Sequence, residues 1–190
     1  MIRLLATDLD GTFWGRDFVP PPEHLAAVDE LARQGVTVLA ATSRRPRPTR
    51  KRLADIGLAL PAVLIDGAVG IDFLTGARFH EAVFGVEAAH DTLAAFQSYG
   101  LDPCLYVDDP DIDIVVSTSP STCPPHLERL GRLAEIRNLA ETATTMPVYA
   151  FSVLGLDLEL LAPVARELAD DMEPRSCCIP NRITAGTDSS

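Results

Sequence analysis

Three short apolar runs alternate with two amphipathic segments over the first seventy residues, and this alternation constrains the fold more than any other feature. The apolar runs are Ile2–Thr7, Val36–Ala41 and Ala62–Ile65, and each has the character of a strand covered on both faces. The segments Glu23–Gln34 and Pro48–Ile56 carry apolar residues at helical spacing, and a glycine follows each of them. Strands that alternate with helices pair in parallel, so this block predicts an α/β fold.

The pattern changes near residue 70, and the remainder predicts an α+β insert rather than a continuation of the first sheet. The predicted elements are a hairpin over 71–83, helices over 86–99, 126–139 and 158–171, and strands over 104–107, 112–116, 148–154 and 176–184. We therefore predict a first domain over residues 1–70, a second over 71–184 and a polar tail over 185–190.

Charge and cysteine usage narrow the classes of function. The chain has 16 basic and 27 acidic residues, a formal charge of −11, which disfavours a nucleic-acid or anionic-membrane binder. An acidic residue already stands at position 8, too early for a secretory signal, and no apolar run reaches the roughly 20 residues of a membrane helix. The four cysteines show no Cys-x-x-Cys spacing. We expect a reduced, cytoplasmic protein.

Polar residues follow each of the three predicted strands of the first block. They are Asp8–Thr12, Thr42–Arg44 and Asp66–Ala68, and each segment contains a small residue that lets backbone amides approach a ligand. Ligands of doubly wound sheets bind beyond the carboxyl ends of the strands, so these groups should meet at one edge. Two carboxylates two residues apart favour Mg²⁺, beside which a carboxylate can attack phosphorus.

These residues carry a resemblance to a known family. Asp8–Thr12 reads Asp-Leu-Asp-Gly-Thr and resembles the first signature, Asp-x-Asp-Gly-Thr, of the haloacid dehalogenase-like (HAD) phosphohydrolases. Ala41–Arg44 resembles the second, with Ser43 where the Cof-type branch commonly has glycine, and Asp66 replaces the asparagine of an Asn-Gly-Ala segment. The resemblance implies the N-terminal part of a Rossmann-like parallel-sheet HAD core with an α+β class II cap domain.

The resemblance also implies roles for individual residues. Asp8 would be the nucleophile that forms an aspartyl-phosphate, and Asp10 would protonate the leaving oxygen and later activate water. Mg²⁺ would be bound by Asp8 and by the main-chain carbonyl of Asp10. The residues that would bind the phosphoryl group or the substrate, or line the same crevice, are Leu9 (through its backbone), Thr42, Ser43, Arg44, Asp66 and Gly67.

The sequence departs from the family after the insert. The third signature is a lysine beyond the cap and the fourth is an acidic cluster, whereas Lys51, the one lysine in the sequence, lies before the insert. We therefore expect a chain truncated after the cap, whose first strand is left as an open hydrophobic edge. We consider two partners that could cover this edge: a second copy of the chain in a homo-oligomer, and a missing C-terminal segment.

The predicted function is a Mg²⁺-dependent phosphatase that acts on a small phosphorylated metabolite, such as a sugar phosphate. Two alternatives stay open: a phosphotransferase or mutase acting on sugar phosphates, and a non-catalytic remnant that binds a ligand or a partner. Neither nucleic acid nor a membrane is an expected partner. Phe13 and Trp14, which follow the first motif, could form a flap that packs over the site, but the favoured interpretation is that they fill the space between core and loop.

Overall fold

A computed structural model describes residues 2–171 of the chain. The predicted strand over 176–184 and the polar tail over 185–190 lie outside the described residues. The chain divides into two compact units, one that ends at Ala82 and one that begins at Val83. Within the described residues, no helix is long and apolar enough to span a bilayer.

The first unit is built on a five-stranded sheet in the order β1-β2-β3-β4-β5. β1, β2 and β3 are parallel, as predicted, whereas β4 and β5 run antiparallel to their neighbours. This arrangement confirms the α/β class. The elements of this unit are β1 (Leu4–Thr7), α1 (Pro22–Arg33), β2 (Thr37–Ala41), α2 (Pro46–Asp55), β3 (Pro61–Leu64), β4 (Val69–Asp72) and β5 (Arg78–Glu81).

The two helices begin and end where the sequence provides local signals. Both begin with proline in the first turn, where the missing N–H removes no hydrogen bond. α1 is followed by Gly35 at φ +71°, a left-handed conformation that favours glycine, and the Gly35 amide donates to the carbonyl of Ala32. The chain can therefore turn at once into β2.

The hairpin formed by β4 and β5 belongs to the first sheet. The sequence instead placed the hairpin in the second domain, beyond a boundary at residue 70. β4 pairs antiparallel with β3, with Leu64 opposite Val69 and Pro61 opposite Asp72. The connection between these strands is only four residues, whereas a parallel crossover needs a dozen or more. A strand following β3 so closely must reverse direction and extend the same sheet.

β1 forms one edge of the sheet and is not covered on both faces, contrary to what its apolar sequence predicts. Leu4 is 55% exposed and Leu5 is 39% exposed, and Ile2 just before the strand is 74% exposed. Successive strand residues point to opposite faces, so both faces of β1 present apolar side chains to solvent. The expected open hydrophobic edge is therefore present among the described residues.

The second unit has a four-stranded sheet in the order β8-β7-β6-β9, packed with helices. β7 and β8 are parallel and the other pairs are antiparallel, as expected for an α+β unit. Its main core gathers apolar side chains of α3, α5 and the sheet, including Leu93, Leu105 and Val148. The elements are α3 (Val86–Ser98), β6 (Cys104–Val107), β7 (Ile114–Val116), α4 (Pro124–Leu130), β8 (Ala134–Ile136), α5 (Leu139–Thr145), β9 (Val148–Ser152) and α6 (Leu158–Asp171).

The continuous helix predicted over 126–139 is wrong. α4 ends at Leu130, and Gly131 adopts φ +50° and ψ −129°, a conformation outside the helical region. The chain then forms the short strand β8, in which Ala134 pairs with Ile114 and Ile136 pairs with Val116. Pairing with a buried neighbouring strand overrides the local helical periodicity here.

Candidate active site

The three predicted site segments lie at the same edge of the parallel sheet. β1 and β2 are in register with Thr7 opposite Ala40, so Asp8 and Thr42 both lie just beyond the ends of adjacent strands. Backbone hydrogen bonds join the second and third segments: the Thr42 amide donates to the carbonyl of Val63 at 2.9 Å, and the Ile65 amide donates to that of Arg44 at 3.1 Å. The carboxyl edge is therefore the candidate site.

Asp8 opens the first loop with an exposed carboxylate. Its Oδ2 accepts a long hydrogen bond of 3.3 Å from the Thr12 hydroxyl. The next side chain, Leu9, is fully buried, and its carbonyl accepts hydrogen bonds from the amides of Phe13 and Trp14, each at 3.0 Å. This tight turn anchors the loop in the core and leaves the Asp8 carboxylate accessible to a ligand.

Asp10 is held by three N–H donors. Arg44 donates from Nε to Oδ2 at 2.5 Å and from Nη2 to Oδ1 at 2.7 Å, and the Trp14 indole Nε1 donates to Oδ1 at 3.1 Å. Partial burial raises the pKa of Asp10, but the hydrogen bonds from Arg44 and Trp14 and the arginine charge outweigh it. The net effect is a pKa below the usual range, so Asp10 is a carboxylate at neutral pH.

Thr42 has a buried side chain at the end of β2. Its Oγ1 accepts a hydrogen bond from the Arg44 amide at 3.2 Å. A hydroxyl that accepts from an amide keeps its own proton to donate. Thr42 can therefore donate to an anionic ligand at this edge, whereas the neighbouring Ser43 is exposed.

The third segment forms a turn of unusual backbone conformation. Ile65, Asp66 and Gly67 have φ values of +50°, +51° and +106°, three consecutive residues in a region that favours glycine. For a β-branched residue such as Ile65 this conformation is strained, and its side chain is held in the core at 4% exposure. The turn leaves Asp66 exposed beyond the end of β3.

The donors fit a partial magnesium site. The exposed Asp8 carboxylate is a suitable hard ligand, whereas both oxygens of the Asp10 carboxylate already accept hydrogen bonds, which leaves the main-chain carbonyl of Asp10 as its donor. Among residues 2–171, no three His, Cys, Asp or Glu side chains are grouped to enclose a metal. Mg²⁺ commonly keeps several waters and binds one or two carboxylates together with substrate phosphate, which suits this donor set.

Trp14 and Phe18 contact the candidate site residues, although the sequence favoured a space-filling role for Trp14 and indicated no role for Phe18. Trp14 is 1% exposed, as a filling residue would be, yet its indole N–H is directed to Asp10. Phe18 adopts φ +59°, and the guanidinium carbons of Arg44 and Arg52 lie 4.8 Å and 4.3 Å from its ring centroid. The sequence signal for Trp14 was its position four residues after Asp10, which is close enough for the indole to contact the carboxylate.

The second unit has a concavity of its own. Its volume is about 570 Å³, and Asp102, Ser117, Arg137 and Asn138 are among its lining residues. Arg137 is paired with Glu135 at 2.9 Å. No predicted site residue lines this concavity.

Comparison with known proteins agrees with this description. The fold is that of a mixed α/β protein with a site at the carboxyl edge of parallel strands. Residues 5–138 match the sequence profile of the haloacid dehalogenase-like hydrolases, and the chain belongs to this family. The resemblance identified in the sequence is confirmed at this level. No curated protein gives a significant match.

Solved structures share the fold at low sequence identity. A haloacid dehalogenase-like hydrolase from Bacteroides thetaiotaomicron is 21% identical, with a TM-score of 0.65, and the match covers 89% of this chain and 64% of that one. A protein from Thermotoga maritima is 17% identical, with a TM-score of 0.73 and coverage of 90% and 62%. A HAD subclass IIB sugar phosphatase is 18% identical, with a TM-score of 0.56 and coverage of 76% and 56%. The chain thus spans under two thirds of the length of these relatives.

Proposed function

We propose that the protein is a phosphatase that hydrolyses phosphomonoesters through an aspartyl-phosphate on Asp8. The observation that carries this proposal is the meeting of Asp8, Asp10 and Thr42 at one edge of the sheet, within the region that matches the hydrolase family. Asp8 supplies an accessible carboxylate, and Thr42 supplies a hydroxyl proton for a phosphoryl oxygen. Fixed donors of this kind stabilise the charge that develops during phosphoryl transfer.

The reaction has two steps. In the first, an Asp8 carboxylate oxygen attacks phosphorus, the ester P–O bond breaks, and Asp10 gives a proton to the departing alcohol oxygen. Asp10 takes up this proton from solvent when the phosphate dianion binds beside it, because a neighbouring negative charge disfavours the carboxylate form. In the second, Asp10, now a carboxylate, takes a proton from water, whose oxygen attacks the same phosphorus. Inorganic phosphate leaves, the Asp8 carboxylate is restored, and Asp10 ends protonated for the next cycle.

The proposal includes Mg²⁺ as cofactor. Asp8 and the main-chain carbonyl of Asp10 would hold it. When bound, the ion reduces the repulsion between the Asp8 carboxylate and the phosphate dianion. Because the described residues group no three His, Cys, Asp or Glu side chains around a metal, we expect weak affinity in the absence of a phosphorylated ligand.

A small phosphorylated metabolite, such as a sugar phosphate, is the proposed substrate. The support is the shared fold with a sugar phosphatase. The same first step would serve a phosphotransferase or mutase, in which a sugar hydroxyl replaces water in the second step. The two reactions differ in whether inorganic phosphate is released.

Further polypeptide is proposed to complete the sheet beyond β1. The exposed side chains of Ile2, Leu4 and Leu5 support this, because an apolar edge strand is a template for pairing. We expect an extended form, in which a further polypeptide pairs with β1, to release phosphate faster than the 190-residue chain.

The test is phosphate release from a panel of sugar phosphates with Mg²⁺, measured for the 190-residue chain and for any extended form. Asp8→Asn should reduce turnover more than 10-fold, since the loss of a nucleophile normally costs far more than this. Asp29→Asn, an exposed acid on α1, is the control and should not change turnover.

Three outcomes would contradict the proposal. More than a tenth of the activity remaining in folded Asp8→Asn would assign the nucleophile elsewhere. Transfer of phosphate to a second sugar without phosphate release would favour the mutase. An absence of turnover in every form, with retained binding of a sugar phosphate, would favour the non-catalytic alternative.

A further inference from the structure

The contacts of Asp10 point to residues that act on the reaction through it. We propose that Arg44 and Trp14 are positioning residues that hold the Asp10 carboxylate in one orientation for proton transfer, and that Phe18 supports them through Arg44. This inference rests on the phosphatase function proposed above. It gives Arg44 a role different from the substrate contact that the family resemblance implies.

The donors to Asp10 engage both of its carboxylate oxygens. A carboxylate held by one hydrogen bond can still rotate, whereas the planar guanidinium of Arg44 engages both oxygens, at 2.5 Å and 2.7 Å. The Trp14 indole adds a third donor at 3.1 Å to Oδ1. With both oxygens engaged, the plane of the Asp10 carboxyl group is fixed.

Arg44 is itself anchored by backbone hydrogen bonds. Its amide donates to Thr42 Oγ1 at 3.2 Å, and its carbonyl accepts from the Ile65 amide at 3.1 Å. The arginine backbone is therefore set by the second and third loops, while its side chain reaches Asp10 in the first. Through Arg44, all three loops of the site determine where the Asp10 carboxylate lies.

The phenyl ring of Phe18 lies against both Arg44 and Trp14. Phe18 keeps a positive φ of +59°, which is uncommon for a bulky residue, and the Arg44 guanidinium lies 4.8 Å from its ring centroid. The Trp14 ring meets the same phenyl ring edge-on, with centroids 6.3 Å apart. Phe18 thus contacts both groups that donate to Asp10 and limits their movement.

The solvent exposure of Asp10 and Arg44 indicates that their ion pair does more than stabilise the fold. The Asp10 side chain is 44% exposed and that of Arg44 is 25% exposed, so the pair is near the surface, where ion pairs add little to stability. An exposed acid that is fixed in orientation can still meet a ligand. In proton transfer, correct placement matters far more, because a shift of about 1 Å can cost roughly 100-fold in rate.

The functional test compares two leaving groups. Arg44→Lys keeps the charge but loses the bidentate fork, so kcat/KM for glucose 6-phosphate should fall about 10- to 100-fold, since its alkoxide needs a proton in order to leave. For p-nitrophenyl phosphate, whose leaving group departs without a proton, kcat/KM should fall less than about 3-fold. Arg50→Lys is the control. Arg50 is an exposed arginine on α2, and its substitution should leave both kcat/KM values unchanged.

A double substitution tests whether the effect of Arg44→Lys on kcat/KM depends on Asp10. In Asp10→Asn protein, adding Arg44→Lys should lower kcat/KM no further, because there is no acid left to position. Phe18→Leu, which touches neither Asp10 nor the phosphoryl group, should reproduce the leaving-group pattern of Arg44→Lys in weaker form. It also serves as the second variant if Arg44→Lys fails to fold.

A spectroscopic readout does not depend on turnover. Trp14 is the one tryptophan of the sequence, so its indole N–H gives a single, assignable proton–nitrogen resonance. Asp10→Ala, Arg44→Lys and Phe18→Leu should each move that resonance upfield as the hydrogen bond to Asp10 weakens, whereas Arg50→Lys should not.

Two results would overturn the inference. Equal losses for both substrates on Arg44→Lys would make Arg44 a phosphate-binding residue instead. An indole resonance that stays in place in folded Asp10→Ala and Arg44→Lys proteins would show that the three groups are not coupled. If the wild-type chain and its extended form release no phosphate, the proposed function fails and the positioning inference fails with it, whereas either result above in a protein that still releases phosphate overturns the inference alone.

Discussion

Thr42 illustrates how one hydroxyl can serve two purposes at the residue scale. It accepts the Arg44 amide and retains a proton for a phosphoryl oxygen. Thr42→Val keeps the volume and removes both functions, so turnover should fall about 100- to 1000-fold, as for other single donors to a reacting oxyanion.

Recovery of turnover by Thr42→Ser would assign the effect to the hydroxyl. Thr37→Val, at an exposed position of β2, is the matched control and should be neutral. Unchanged phosphate release by folded Thr42→Val would contradict the assignment.

Cys104 offers a prediction about reactivity. Burial raises the pKa of its thiol to about 11, so at pH 8 it is the neutral thiol, which is a poor nucleophile. Alkylation by iodoacetamide at pH 8 should be at least about 10-fold slower at Cys104 than at the half-buried Cys123.

Peptide mapping by mass spectrometry would measure the two rates. In denaturing urea the difference should disappear, because both thiols are then solvated. Fast native alkylation of Cys104 would mean that the second unit opens more readily than its core packing indicates.

At the scale of elements, the β4–β5 hairpin depends on the absence of a side chain at Gly70. A Cβ there would lie 2.4 Å from a ring carbon of Phe79 and 2.9 Å from the Cβ of His80. The exposed phenyl ring can turn away, but the His80 Cβ cannot move without its backbone. Gly70→Ala should therefore destabilise the first unit by about 1 kcal/mol or more.

Urea unfolding followed by circular dichroism would test this. Gly15→Ala in the same unit is the control, because a Cβ at Gly15 meets only Asp17 Oδ1, at 3.4 Å, and it should change stability by less than about 0.5 kcal/mol. An unchanged midpoint for Gly70→Ala would show that the hairpin shifts freely.

The parallel strands and the residues at their ends could be predicted from the sequence, because buried strands and helix stops leave local patterns. The prediction of a helix over 126–139 was wrong because β8 forms by pairing with β7, and local periodicity does not reveal that partner strand. The pairing of Arg44 with Asp10 was missed for a related reason: the residues are 34 positions apart, and only the register of two loops brings them together. The roles of the site residues and the cytoplasmic location stay predictions.

At the scale of the whole molecule, the open β1 edge predicts self-association of the 190-residue chain. Pairing of β1 with another strand would cover Leu4 and Leu5. Leu4→Lys should shift the molecular mass from light scattering towards the monomer at concentrations of about 50 μM, because a charge on an edge strand opposes pairing.

Leu74→Lys is the control, since Leu74 is 77% exposed but lies in the turn of the hairpin, away from β1. It should leave the mass unchanged. A monomeric wild-type chain at this concentration would contradict the prediction.

The opposite edge of the same sheet has a different chemistry. All four residues of β5 are exposed: Arg78, His80 and Glu81 are polar, with Arg78 and Glu81 joined by an ion pair of 2.6 Å, and Phe79 is apolar. Charged residues on an edge strand disfavour the addition of another strand. If two copies pair β1 to β1, each covers the apolar edge of the other, and the charged β5 edges disfavour further growth. We therefore expect association through β1 to give dimers rather than fibres.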